Sequence, residues 1–128
     1  MKKDKKEKIV LLVFLAAVIF VVLISGWGGK KADKNELIFI IDYGNSGKQA
    51  LQIPLQEKKR VWNLLQQAAL LTGAELEADS DFTPTKIKGF LNGSGGKHWV
   101  FYLNGVKQNA SPYNVYAGPN DKVVFRFQ

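Results

Sequence analysis

An α+β fold follows from three features of the chain: strand-like alternation at both ends of its second part, one run with helical spacing between them, and a long apolar stretch set apart at the N-terminus. The expected architecture is a β-grasp-like sheet of several strands packed on one helix, preceded by a single N-terminal transmembrane helix. The first 28 of the 128 residues are unlike the rest. What remains is enough for one soluble domain of about 100 residues with one small core.

The N-terminus reads Met-Lys-Lys-Asp-Lys-Lys-Glu-Lys over residues 1–8, and sixteen uninterrupted apolar residues follow from Ile9 to Ile24. A hydrocarbon core needs about 20 helical residues, which residues 9–28 supply when the small residues and interfacial Trp27 are counted. The segment reads as a signal anchor whose partner is the lipid bilayer. A cleaved signal peptide is the competing reading, since Gly26-Trp27-Gly28 places small residues two apart, although Trp27 and the β-branched run fit an anchor better. Lysine before the span keeps the N-terminus cytoplasmic, giving a single-pass cell-membrane protein with its C-terminal domain outside. Residues 29–36 are small and charged without apolar periodicity, and read as a short tether.

The domain then runs over residues 37–128. Leu37 to Tyr43 is β-branched and aromatic, Gly44-Asn45-Ser46-Gly47 is a turn, and Lys48 to Gln56 alternates Leu51, Ile53 and Leu55 with polar residues, making a hairpin. Pro54 marks its second strand as an edge. From Glu57 to Thr72 the positions Val61, Leu64, Leu65, Ala68 and Leu71 recur at helical spacing, and Gly73 supplies the left-handed residue that ends the helix. Trp62 is expected to pack at the helix edge.

Residues 74–85 alternate Glu75, Glu77, Asp79 and Asp81 with Leu76, Ala78, Ser80 and Phe82. On an extended chain the four carboxylates share one face, a row that could seat a hard cation. No ligand loop of recognised spacing accompanies it, so no metal is assigned and the row reads as a solvated face or loop.

Two strands are joined around residues 85–93, and a Gly-rich turn leads into the densest aromatic segment, His98-Trp99-Val100-Phe101-Tyr102-Leu103-Asn104-Gly105. Period 2 puts Trp99, Phe101 and Leu103 on one face and Val100 and Tyr102 on the other, and Asn104-Gly105 suits a type I′ turn. Val106 to Gln108 is the return strand, residues 109–115 are irregular, and Lys122 to Gln128 is the last strand, with Val123, Phe125 and Phe127 toward the core.

From about Leu37 to Gln128 this order of elements resembles the bacterial DUF4430 domain, the transcobalamin-like C-terminal domain family. The resemblance is carried by Trp99 to Gly105, similar to that family's Trp-x-Tyr/Phe-Tyr-Val-Asn-Gly segment, and by Phe90-Leu91-Asn92-Gly93, similar to its upstream Ile-Asn-Gly segment. The chain departs at Asn120-Asp121, where the family more often has Gly-Asp. The resemblance implies a β-grasp-like module of secreted or surface proteins. It does not imply cobalamin binding, because the large helical domain of the animal carriers is absent from this sequence.

Composition narrows the function further. Five lysines and two acids among the first eight residues supply +3 of the formal +7, and the remaining +4 is scattered without a stripe among the aromatics, so nucleic acid is not a partner. There is no cysteine, hence no disulfide and no thiolate nucleophile. His98 is the only imidazole, the five serines sit mostly in turn-like sequence, and Gly93-Ser94-Gly95-Gly96 lacks the helix and Lys-Ser/Thr of a phosphate loop. The chain therefore reads as a non-catalytic, membrane-tethered, extracytoplasmic binding module for a small ligand, glycan or peptide, without a cofactor. Its aromatic and Asn-rich loops supply the candidate contacts Trp99, Tyr102, Asn104, Tyr113 and Tyr116. The competing reading is an accessory or structural subunit of a membrane or surface assembly; an enzyme is a distant third. An exposed aromatic cluster favours the first, and wholly buried aromatics beside a flat apolar edge favour the second.

Overall fold

The computed structural model describes residues 35–128. The tail at 1–8, the predicted anchor at 9–28 and the linker as far as residue 34 lie outside the described residues. Among those described, no helix is long and apolar enough to cross a membrane.

Chain order gives β1 (Glu36–Asp42), β2 (Lys48–Pro54), β3 (Lys59–Arg60), α1 (Val61–Thr72), β4 (Leu76–Ala78), β5 (Pro84–Ile87), β6 (Phe90–Leu91), β7 (Trp99–Leu103), β8 (Val106–Gln108), β9 (Tyr116–Ala117) and β10 (Lys122–Phe127). The main sheet has the order β2-β1-β10-β7-β8. Its two central strands, β1 and β10, run parallel, while the other neighbours are antiparallel. Two small ladders, β3-β9 and β4-β5-β6, complete the fold. Among the described residues this is the α+β arrangement expected, a several-stranded sheet with one α-helix.

Period 2 sorts the sheet into a dry face and an open one. Leu37, Phe39 and Ile41 of β1, Leu51 and Ile53 of β2, Trp99 and Phe101 of β7, and Val123, Phe125 and Phe127 of β10 are all buried with the helix residues Val61, Leu64, Leu65 and Ala68. The rings of Phe39 and Phe101 flank Phe125 at 5.6 Å and 5.0 Å between centroids. Each fully buried large side chain contributes about 1.5–3 kcal/mol of transfer free energy, so this stripe is the main favourable term in folding. The opposite face carries Ile40, Val124 and Tyr102 in register across three strands.

The helix begins at Val61, four residues later than the sequence suggests. Lys59 and Arg60 are held extended by pairing with Ala117 and Tyr116, and the Val61 amide donates to the Val115 carbonyl at 2.8 Å. Those two residues therefore cannot join the helical ladder. Its other end is as expected: Gly73 takes φ 69°, and the Ala74 amide donates back to Ala69 at 2.8 Å.

Three further local features refine the sequence reading. β1 starts at Glu36, one residue before the strand the sequence suggests. The acidic row is not one extended face: β4 ends at Ala78, a register shift falls at Glu77/Ala78, and the chain turns at residues 79–82. Asp79 drives that turn, its Oδ1 accepting the amides of Asp81 and Thr83 at 2.8 and 3.1 Å. Finally, Asn120 takes φ 70°, so an Asn occupies a left-handed position where Gly would be the usual choice.

Candidate functional site

The turn at residues 79–82 lifts Phe82 out of the domain and onto residues far away in sequence. Phe82 stacks on Tyr113 with centroids 4.5 Å apart and planes 19° from parallel, and meets the edge of Trp62 at 5.4 Å. The guanidinium carbon of Arg60 lies 4.2 Å from the centre of the Tyr113 ring and 5.1 Å from that of Tyr116. An aromatic ring has two faces, so Tyr113 is sandwiched between Phe82 and Arg60. The result is one continuous stack in the order Trp62, Phe82, Tyr113, Arg60, Tyr116.

Each member is placed by a different local device. Arg60 is extended because β3 pairs with β9, and Trp62 sits on the first turn of α1, partly buried against the core. Tyr113 belongs to a one-turn 3₁₀ segment, Pro112–Asn114, whose start is capped by the Ser111 hydroxyl accepting the Tyr113 amide at 3.2 Å. The same hydroxyl donates to the Asp81 carbonyl at 2.5 Å, which ties the Phe82 turn to the Tyr113 turn. Arg60 also donates to the Tyr113 carbonyl at 2.8 Å. Two loops and a helix entrance are thereby fixed to each other by polar bonds as well as by rings.

The stack is open to solvent. Phe82, Tyr113 and Tyr116 are 40%, 37% and 47% exposed, which is far from the core aromatics Phe39 and Phe125. Phe82 also holds φ 58°, a left-handed backbone that a bulky side chain adopts only at a cost. Among the described residues the ion pairs join Lys86 to Glu75 at 3.5 Å and Arg126 to Asp42 at 3.2 Å, and neither involves Arg60. The guanidinium is held by cation–π contact and one carbonyl, with its remaining donors unpaired.

The five candidate contacts fall in three places. Tyr113 and Tyr116 meet in the stack. Trp99 is buried in the core, its indole N–H donating to the Phe90 carbonyl at 2.8 Å, and it packs against Tyr43 and Phe127. It offers no surface to a ligand. Tyr102 lies on the open face of the sheet, under Arg126 and bonded to Gln128. Asn104, at φ 50° in the β7-β8 turn, uses its amide to join that turn to Asp121 and Lys122. Arg60, Trp62 and Phe82 were not among the candidates. The available signal was a lone large aromatic, Phe82, at the end of the alternating acidic segment.

The acidic row does not converge. Glu75 pairs with Lys86 and one Asp79 oxygen is committed to its own turn; among the described residues no group of three His, Cys, Asp or Glu side chains could hold a metal ion. A shallow depression of about 340 Å³ is lined by Asn35, Pro54, Leu55, Gln56, Glu57 and Lys59, and no residue of the stack lines it.

No protein-family model matches the chain, and no curated protein matches it either. Among solved structures it is similar to a "putative metal binding protein" from Ruminococcus gnavus ATCC 29149, with a TM-score of 0.56 and 11% identity over 73% of this chain and 96% of that one. At that identity the likeness is one of fold.

Proposed function

We propose that this chain is a membrane-tethered, extracytoplasmic binding module of the β-grasp-like, DUF4430-like type, held at the surface by residues 9–28 and non-catalytic. The observation that carries the binding role is the solvent-open stack of Trp62, Phe82, Tyr113, Arg60 and Tyr116, built from three separate segments and retaining a strained Phe82. Of these rings only Trp62 packs on the core, and Phe82, Tyr113 and Tyr116 stay exposed. Exposed, pre-ordered aromatics with a polar tip give contact area at small entropic cost, which is what a recognition surface needs. The name of the R. gnavus protein favours a metal ligand, but the donor set here does not follow it, because among the described residues no three acidic side chains converge.

Peptide and glycan arrays probed with the full-length protein test the reading. Hits should be lost with Tyr113→Ala and Tyr116→Ala and kept with Tyr102→Ala, which alters the opposite region of the sheet. Hits retained by both stack variants would remove the stack from the function.

The second reading, an interaction subunit, has its own observation in the outer sheet face, where the half-buried Ile40 and Tyr102 flank the buried Val124. It predicts the reverse pattern, with Tyr102→Ala the damaging change.

A further inference from the structure

We infer that the occupant of the stack is an acidic peptide segment, with a carboxylate received by Arg60 and an apolar side chain lying against the exposed edges of Tyr113 and Phe82. This rests on the binding reading above and narrows it to one ligand class.

Three observations select that class. The composition of the stack, Trp, Tyr and Arg with Phe, is that of the anchor residues on which protein recognition concentrates. Secondly, Arg60 has no carboxylate partner among the described residues, although Glu57 stands only three residues away. The guanidinium packs against the Tyr113 and Tyr116 rings and gives one N–H to the Tyr113 carbonyl, and its other N–H groups have no protein partner among the described residues, which leaves part of its planar fork for a carboxylate. Thirdly, the charge around the stack is graded. Lys58 and Lys59 are exposed just before Arg60 and outweigh the exposed Glu57, whereas Asp79 and Asp81 are exposed just before Phe82. A peptide is thus oriented, its acidic residue toward Arg60 and its neutral apolar residue toward Phe82.

A sugar is the less suited occupant. Tyr113 packs against both Phe82 and Arg60, so the exposed ring area of Phe82 and Tyr116 is divided between the two ends of the stack and does not form one flat platform for a pyranose. Ring edges, a fork of donors and a fixed charge fit side chains better.

The test is selection of a displayed random dodecapeptide library on the purified full-length protein, followed by titration of the selected peptides in synthetic form. Enriched sequences should carry Asp or Glu next to an aromatic or aliphatic residue. Amidating the acids to Asn or Gln should weaken binding about tenfold or more, as removal of one partner of a hydrogen-bonded charge pair does, and Arg60→Gln should produce the same loss without a further loss on the amidated peptides. Arg60→Lys retains the charge but not the fork and should recover only part of the affinity. Melting curves of both variants, expected to show only a small loss because Arg60 contributes one carbonyl bond and ring contacts outside the core, exclude unfolding as the cause.

Peptides that bind equally well with Arg60→Gln but not with Tyr116→Ala would overturn the carboxylate while leaving the stack as the site. Neutral or basic winners would do the same. If no peptide is enriched and uronic-acid oligosaccharides bind in a Tyr113-dependent way, the occupant is a glycan and this inference fails alone. Binding indifferent to Arg60, Tyr113 and Tyr116 together would overturn the binding reading itself.

Discussion

The Trp99 indole and the Phe90 carbonyl are joined by a 2.8 Å hydrogen bond across nine residues, and the Trp99 amide donates to the Asn92 side chain at 2.8 Å. A strand of the main sheet is thereby bolted to the loop that follows β6. Both ends of the indole are used, the apolar body in the core and the N–H in the bolt. Trp99→Ala should cost about 3–5 kcal/mol, a large share of what a small domain possesses. Trp99→Phe keeps most of the packing but orphans the Phe90 carbonyl, and should cost a smaller amount, about 1–3 kcal/mol. Urea midpoints order the two variants, and a Trp99→Ala protein with an unchanged midpoint would contradict the assignment.

Asn104 does comparable work at the other end of β7. Its side chain donates to Asp121 at 2.9 Å and accepts the Lys122 amide at 2.8 Å, from a backbone at φ 50°. Asn104→Ala loses both bonds and must hold a left-handed backbone with a Cβ, so a loss of about 2 kcal/mol is expected. Asn104→Asp should fall between the two, since it keeps the acceptor but faces the Asp121 carboxylate. Thermal melts of the two variants and the parent give the order.

How much of this was legible in the chain follows from the range of the cause. Facing within β1, β7 and β10, and the apolar stripe of the helix, are set by residues two to four apart, and Phe101, Phe125 and Leu64 sit where that spacing puts them. Tyr113 and Tyr116 could be flagged as loop aromatics. Their partnership with Arg60 and Phe82 could not, because it depends on β3 pairing with β9 and on the Ser111 to Asp81 bond, which join segments 30 or more residues apart. The same limit affects Glu75 to Asp81: local alternation suggested one extended face, and the Asx turn at Asp79, with pairing to β5, broke it.

Tyr43 provides a pH handle. It is buried beside Phe90 and Trp99, and desolvation pushes its phenol from 10.0 up to about 12. An acid whose pKa is higher folded than unfolded keeps its full contribution below the unfolded value. That contribution declines as the pH rises from the unfolded pKa through the folded one. Stability should therefore be flat with respect to Tyr43 below pH 10 and fall between about pH 10 and 12, more steeply in the parent than in Tyr43→Phe. Urea titrations of both proteins over that window, compared as a difference, separate this from the loss of lysine charge. Parallel curves would show that Tyr43 ionises freely.

The dispersed acidic side chains give a fourth expectation. With Glu75 paired to Lys86 and Asp79 engaged in its turn, chelator should leave the melting temperature of the full-length protein unchanged, and added Ca²⁺ should not raise it beyond an ionic-strength control. A fall of several degrees with chelator, restored by one divalent cation, would return the acidic segment to the list of sites.

Phe82 tests whether the stack is there for the fold or for a ligand. Its φ of 58° costs about 1–2 kcal/mol for a residue with a bulky side chain, while its contacts with Tyr113 and Trp62 return about 0.5–1.5 kcal/mol each. The two terms nearly cancel. Asn tolerates the left-handed region, so Phe82→Asn removes the strain together with the rings and should leave the urea midpoint within about 0.5 kcal/mol of the parent. Asn also suits the turn, because its side chain bonds to nearby backbone. Binding should respond differently: the apolar end of the stack is gone, and affinity for any stack ligand should fall about tenfold, as for loss of a packed aromatic anchor. A drop of more than about 2 kcal/mol in stability would instead make Phe82 a clamp between its turn and the helix, and the strain would then be a cost of folding rather than of recognition.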